Sequence, residues 1–123
     1  MTNLYEILSL EKEDNSAKVL VSLNLKHEVY KGHFPGKPIL PGALQLEMIK
    51  DIFALVLGRK LHLDSAKSIK YLGFIDPEQV KNLILKMQFN QTKEGWSLRA
   101  NIGDNQEEKP HIFTKFSGLF IEV

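Results

Sequence analysis

The alternation of hydrophobic and polar positions changes period twice along the chain. Residues 4–10 are a short apolar segment that fits either a helix or a strand. From Ala17 the pattern alternates. Ala17, Val19, Val21, Leu23 and Leu25 share one face and Lys18, Ser22 and Asn24 the other, which predicts a half-buried strand. A loop rich in proline and glycine follows, and the period then becomes helical. Residues 42–57 read as one helix, ended by Gly58 and a basic last turn. After it, period two returns. Residues 65–75 predict a strand stopped by Asp76-Pro77. Residues 80–90 put Leu83, Leu85, Met87 and Phe89 on one face, and residues 95–102 do the same with Trp96, Leu98, Ala100 and Ile102. The stretch 103–110, GDNQEEKP, predicts a turn, and residues 111–123 a long last strand that is apolar on both faces in places. One long helix and five or six mostly consecutive strands with short connections predict an α+β fold with an antiparallel sheet.

The helix is unusually apolar. On a helical wheel Glu47, Lys50, Asp51 and Ala54 share one side, Gln45 stands alone opposite, and every other position from Ala43 to Leu57 is apolar. Such a helix is expected to be buried nearly all round, with the sheet curled about it. Its narrow polar strip is then expected to face a second subunit, a cleft, or both.

Composition narrows the classes. A chain of 123 residues fits one domain, 1–123, and 43% apolar content supplies a real core. A net charge of +1 supplies no global basic field for nucleic acid. Cysteine is absent, which excludes disulfides and thiolate metal sites and agrees with a reducing compartment. The first residues lack the basic and long apolar regions of a signal peptide. The longest apolar run, Ile52 to Leu57, is far too short to span a bilayer. A cytoplasmic protein without membrane insertion is the expectation.

Candidate chemistry gathers where the strand pattern gives way to the helix. In GHFPGKPILPG, residues 32–42, Pro35, Pro38 and Pro41 fix their own φ and push the residues before them towards extended geometry. His33 is therefore held where a stiff backbone puts it. Gly42 opens the helix, whose first N–H groups lack partners and carry partial positive charge, so a ligand oxygen can approach that amide as at an oxyanion site. Glu47 lies one to two turns further on. An imidazole, helix-start amides and a carboxylate are the parts needed to abstract a proton beside a carbonyl with loss of a β-hydroxyl.

HFPGKPILPG, with a glutamate 14 positions after the histidine, closely resembles the signature of the 3-hydroxyacyl-[acyl-carrier-protein] dehydratases of type II fatty acid synthesis. The resemblance implies the hotdog fold, a curled antiparallel sheet around one long helix, and the predicted element order agrees with it over essentially the whole chain. It further implies that His33 and Glu47 are catalytic and that the Gly42 amide binds the thioester carbonyl. The active site would form across a dimer interface, the acyl chain would lie in an apolar tunnel, and the phosphopantetheine arm of an acyl carrier protein would enter from outside. The implied reaction is the reversible dehydration of a (3R)-hydroxyacyl thioester to the trans-2-enoyl thioester, with no metal and no organic cofactor of the protein's own. His33 is assigned as base at C2 and Glu47 as the group assisting departure of the C3 hydroxyl; the reverse division stays open. Assembly is expected to be a homodimer or higher, and a heterodimer with a related subunit stays open too.

The chain departs from the housekeeping pattern after the glutamate. Asp51 stands where a glutamine is usual, and Lys50 precedes it. Lys50, at i+3, is within reach of Glu47 and favours its charged form; Asp51, at i+4, pushes the other way. These departures resemble branches that serve specialised pathways such as polyene-type pigment synthesis. Plainer roles stand beside each reading. His33 alone would be a loop histidine bonding a backbone carbonyl, and Glu47 a surface residue paired with Lys50. His27, His62 and His111 read as structural or surface residues, Trp96 as core and Arg99 as solvated. Lys31, Lys37, Arg59, Lys60, Lys67 and Lys70 form either a patch for an acidic carrier protein or scattered solvating charges. A hotdog thioesterase and a catalytically silent subunit that binds acyl chains or stabilises a partner are the rival functions.

Overall fold

The computed structural model describes residues 4–32, 38–106 and 108–123. In chain order the elements are β1 (Tyr5–Lys12), β2 (Ser16–Leu23), a short α1 (Val29–Gly32), α2 (Gly42–Leu57), β3 (Leu61–Tyr71), β4 (Asn82–Gln91), β5 (Trp96–Asp104) and β6 (Ile112–Glu122). The strands form one six-stranded sheet in the order β1-β2-β4-β5-β6-β3, and each neighbouring pair is antiparallel. Register shifts in β1 and β3 mark bulges, which bend a sheet and sharpen its twist.

The period-two faces become the core. Val19, Val21, Leu83, Leu85, Met87, Phe89, Leu98 and Ile102 are buried on the concave face of the sheet. They meet Met48, Ile49, Ile52, Phe53 and Val56 of α2. Phe53 is the pivot, with ring centroids 5.4 Å from Phe89 and 5.3 Å from Phe120, separations at which tilted and edge-to-face aromatic pairs attract. The helix thus lies against β4 and β6, strands brought together through β5.

The helix runs over Gly42–Leu57 as its period predicts. Gly58 ends it in the left-handed region at φ 66°, and backbone N–H groups there reach the carbonyls of Ala54 and Leu55. Five expectations need correction. The last turn of the helix carries no basic residue; Arg59 and Lys60 lie beyond the cap, where Arg59 pairs with Glu122 at 2.8 Å. Burial nearly all round does not hold for the single chain: Ala43, Glu47, Asp51 and Leu55 form an exposed strip, with Leu55 57% accessible. Strand β3 starts at Leu61 and ends at Tyr71, well short of Asp76-Pro77. Its pairing with β6 begins opposite Glu122, and past Leu72 the backbone turns away so that Ile75 can accept from Leu40 N. Asp76 instead organises a turn, accepting from the amides of Glu78, Gln79 and Val80. Strand β2 stops at Leu23, leaving Leu25 exposed. Finally, β5 runs on to Asp104, and its carboxylate tightens the following turn by accepting from Gln106 and His111 amides.

Candidate active site

The site is built where α2 begins. Pro41 occupies the N-cap position, extended at φ −62° and ψ 146°, and supplies no side-chain cap. Its carbonyl takes the amides of Leu44 and Gln45 at 3.1 Å. The amides of Gly42 and Ala43 have no acceptor among the described residues. They form the positive end of the helix dipole.

Two side chains that sequence reasoning missed hold this junction. Gln45, the lone polar residue opposite the strip, is buried, accepts from the Thr114 hydroxyl of β6, and donates from Nε2 to the Leu40 carbonyl at 3.1 Å. A buried amide left unpaired would cost about 1–3 kcal/mol, so this network ties the loop's end, the helix and β6 into one arrangement. Tyr71, the last residue of β3, lies over the helix start. Its hydroxyl donates to the Gly42 carbonyl at 3.2 Å, and a Cβ at position 42 would sit 2.7 Å from its Cζ. The lack of a side chain at Gly42 therefore makes room for the Tyr71 ring. Gln45 could have been singled out as the one polar residue on a wholly apolar face. Nothing in the spacing from 42 to 71 announces Tyr71.

Glu47 lies on the exposed strip of α2, with its side chain 48% accessible, and its Oε2 is 3.5 Å from Lys50 Nζ. The expected i,i+3 contact is present, at a length and exposure where ion pairs contribute little to stability. Asp51 follows one turn on, also exposed. The pKa of the Tyr5 hydroxyl, at the start of β1, is raised first by burial and then by the Asp51 charge. The structure thus gathers Gly42, Glu47, Lys50 and Asp51 on one helix. His33, with residues 34–37 of the loop and hence Lys37, lies outside the described residues. Just before them, His27 Nδ1 accepts from Val29 N at 3.0 Å and its ring meets Tyr30 edge-on, a structural role like the one its sequence suggested. The Tyr30 hydroxyl is buried without a partner among the described residues, and burial pushes its pKa up to about 12.

The remaining single-residue expectations are met where they can be seen. His62, His111 and Arg99 are exposed. Trp96 is half-buried against the core, donates from its indole to Glu122 at 3.1 Å and carries Arg59 above its ring. Among the described residues no helix is long and apolar enough to cross a membrane.

Known proteins share this architecture. The chain superposes on an uncharacterized protein from Erwinia carotovora subsp. atroseptica with a TM-score of 0.76 at 23% identity, covering 98% of each chain. It superposes on the dehydratase heterocomplex ApeI:P of Xenorhabdus doucetiae with a TM-score of 0.75 at 18% identity, covering 95% of this chain and 97% of that one. A hypothetical thioesterase with coenzyme A from Streptococcus pneumoniae follows at a TM-score of 0.63 and 16% identity, covering 96% and 86%. These likenesses establish the hotdog fold. In sequence, the 3-hydroxyacyl-[acyl-carrier-protein] dehydratase FabZ of Lactiplantibacillus plantarum is 26% identical over 115 residues, 83% of this chain and 78% of the relative. The enzyme of the same name from Novosphingobium aromaticivorans is 30% identical over 107 residues, 79% and 66%. The pattern of the ApeI-like family, described as ApeI dehydratase, matches residues 9–110. With that match over most of its length, the chain belongs to the ApeI-like family of dehydratases.

Proposed function

We propose that the protein interconverts (3R)-hydroxyacyl and trans-2-enoyl thioesters carried on acyl carrier protein. The observation that carries this reading is the start of α2, where the amides of Gly42 and Ala43, without acceptors among the described residues, stand about one turn from a solvent-accessible Glu47, in a chain of a dehydratase family. The Gly42 amide binds the thioester oxygen and stabilises the negative charge that grows on it as C2 loses its proton. His33 takes that proton. The C2–H electrons become the C2=C3 bond, the C3–O bond breaks, and Glu47 protonates the departing hydroxyl, which leaves as water. A proton passing from His33 back to Glu47 resets the site, and the scheme uses no metal or organic cofactor. With the two roles exchanged, the same residues balance equally well.

The exposed strip carrying Glu47, Asp51 and Leu55 suits a site completed by a second copy or a related subunit. The same exposed strip suits the rival reading, a catalytically silent subunit that stabilises a partner. Purified protein given a crotonyl thioester, followed at the enoyl absorbance in both directions, separates these readings. Hydration that falls about 10²–10⁴-fold in each of His33→Ala and Glu47→Gln supports the dehydratase. Release of free thiol identifies a thioesterase instead, and inert protein the silent subunit.

A further inference from the structure

The register of the sheet lines up lysines that are far apart in sequence. Lys18 of β2 lies opposite Lys86 of β4, Lys86 opposite Asn101 of β5, Asn101 opposite Lys115 of β6, and Lys115 opposite Lys70 of β3. Arg99 stands two residues from Asn101 on the same face, opposite Gln88 and Ser117. All five cations are exposed. They form a row across five strands, roughly 19 Å from end to end at the usual strand spacing, on the convex face away from α2. None of them has an ion-pair partner among the described residues, where the two pairs are Lys50–Glu47 and Arg59–Glu122. The nearest acid in register is Glu11, opposite Lys18 at the far edge. Shallow grooves of about 240 and 450 Å³ flank the row, lined otherwise by uncharged groups such as Gln88, Asn101 and Ser117, with Asp104 at one end.

The fold gains nothing from this arrangement. Like charges set directly opposite across strands are destabilising, and both Lys18–Lys86 and Lys115–Lys70 are such pairs. The row also leaves eleven basic against fifteen acidic side chains for the rest of the molecule, so an acidic partner is drawn to this face and repelled elsewhere. None of the exposed large apolar side chains lies in the row. That removes the stacking groups single-stranded nucleic acid would use and the insertion groups a lipid surface would use. Lysines rather than arginines suit a hydrated, transient contact. The β3 end of the row is Lys70, and the next residue, Tyr71, turns inward to bond Gly42. The row therefore ends beside the site.

We propose that this row is the docking face for the acidic surface of the carrier protein, which hands its acyl arm around the end of β3 at Tyr71 to the start of α2. This rests on the function proposed above, and the test separates the two. The substrates are one 3-hydroxyacyl group borne on holo-acyl carrier protein and the same group on N-acetylcysteamine. The variant is Lys86→Glu/Lys115→Glu. For the carrier-borne substrate kcat/KM is expected to fall at least about tenfold, mainly through KM, and in the parent protein to fall with added salt. For the small thioester it stays within about twofold, since the face makes no contact with the reacting atoms. Equal losses on both substrates, or no loss on the carrier, overturn the docking proposal. If the parent protein turns over neither substrate, the dehydratase reading fails by itself. Calorimetric titration of holo-acyl carrier protein then decides docking: weaker binding to the variant supports it, and equal or absent binding overturns it. Binding to phosphatidylglycerol vesicles without binding to the carrier also overturns it. Lys86→Gln, which relieves a repulsion, is expected to leave the melting temperature unchanged or raised, and a marked fall would make the row structural.

Discussion

The two ends of α2 solve the same problem in opposite ways. At the C-terminus, Gly58 adopts φ 66° and backbone amides close back onto the carbonyls of Ala54 and Leu55. That end is internally satisfied. At the N-terminus, Pro41 offers no side-chain cap and two amides stand without acceptors among the described residues. A Ser, Thr, Asp or Asn there would stabilise the helix by about 1 kcal/mol. Forgoing that stabilisation keeps donors available for something outside the helix, while Gln45 and Tyr71 hold the uncapped end in place through its flank and its carbonyl. The contrast distinguishes an end that satisfies itself from one whose donors lack acceptors among the described residues.

The contrast predicts how substitutions divide between activity and stability. The largest effect belongs to Gly42→Val. The new side chain takes the space of the Tyr71 ring, and that half-exposed ring swings outward over the amides. Loss of about a hundredfold in kcat/KM on a small thioester is expected, the scale of a lost oxyanion donor, with only a small change in melting temperature. Tyr71→Ala in the same chain should recover part of the activity, and steady-state kinetics of the single and double variants read the coupling. Gly58→Ala should do the reverse. A side chain in the left-handed region costs about 1 kcal/mol, which thermal melts of a chain this size would show as about 3–5 °C, while kcat/KM holds. A loss of activity comparable to that of Gly42→Val would erase the distinction between the ends.

An effect confined to high pH lies at Tyr30, in the short helix α1 that precedes the loop. Its pKa of about 12, against an ordinary value of 10.0, is set by burial. The unfolded phenol releases its proton near the lower value and the folded one holds it to the higher. The folded state therefore binds more protons between them, and stability should fall as pH rises across that window. Tyr30→Phe should flatten this fall without abolishing it, because the Tyr5 hydroxyl is shifted in the same direction. Melting temperatures of both proteins from pH 9 to 12 supply the check.

Much of the fold was legible because its signals are local. The helix bounds follow from period and from Gly58, and the buried faces of β4 and β5 from strict alternation. What misled were boundaries set by partners rather than by the segment itself. Strand β3 looked as if it should run to Asp76-Pro77, yet it pairs with β6 from Leu61 and leaves the sheet once Ile75 is drawn to Leu40. α1 went unseen because four residues give no period, and His27 starts it through a side-chain contact. At the site, the strip of Glu47, Lys50 and Asp51 could be read from the helical wheel, and so could the contact between the first two. His33 was read from its motif and lies outside the described residues. Tyr71 was hidden, since its role depends on β3 ending directly above Gly42.

By itself the sequence settled the periodic elements, the apolar helix and the motif that joins them to a dehydratase family, because each is written in residues within one or two turns of each other. Only the tertiary structure decided which distant residues become neighbours. Tyr71 over Gly42, Thr114 on Gln45, and four lysines from four strands in one row all depend on strand register. Register is fixed by the packing of the whole concave face against α2, and a slip of one residue would turn every one of those side chains to the other side of the sheet.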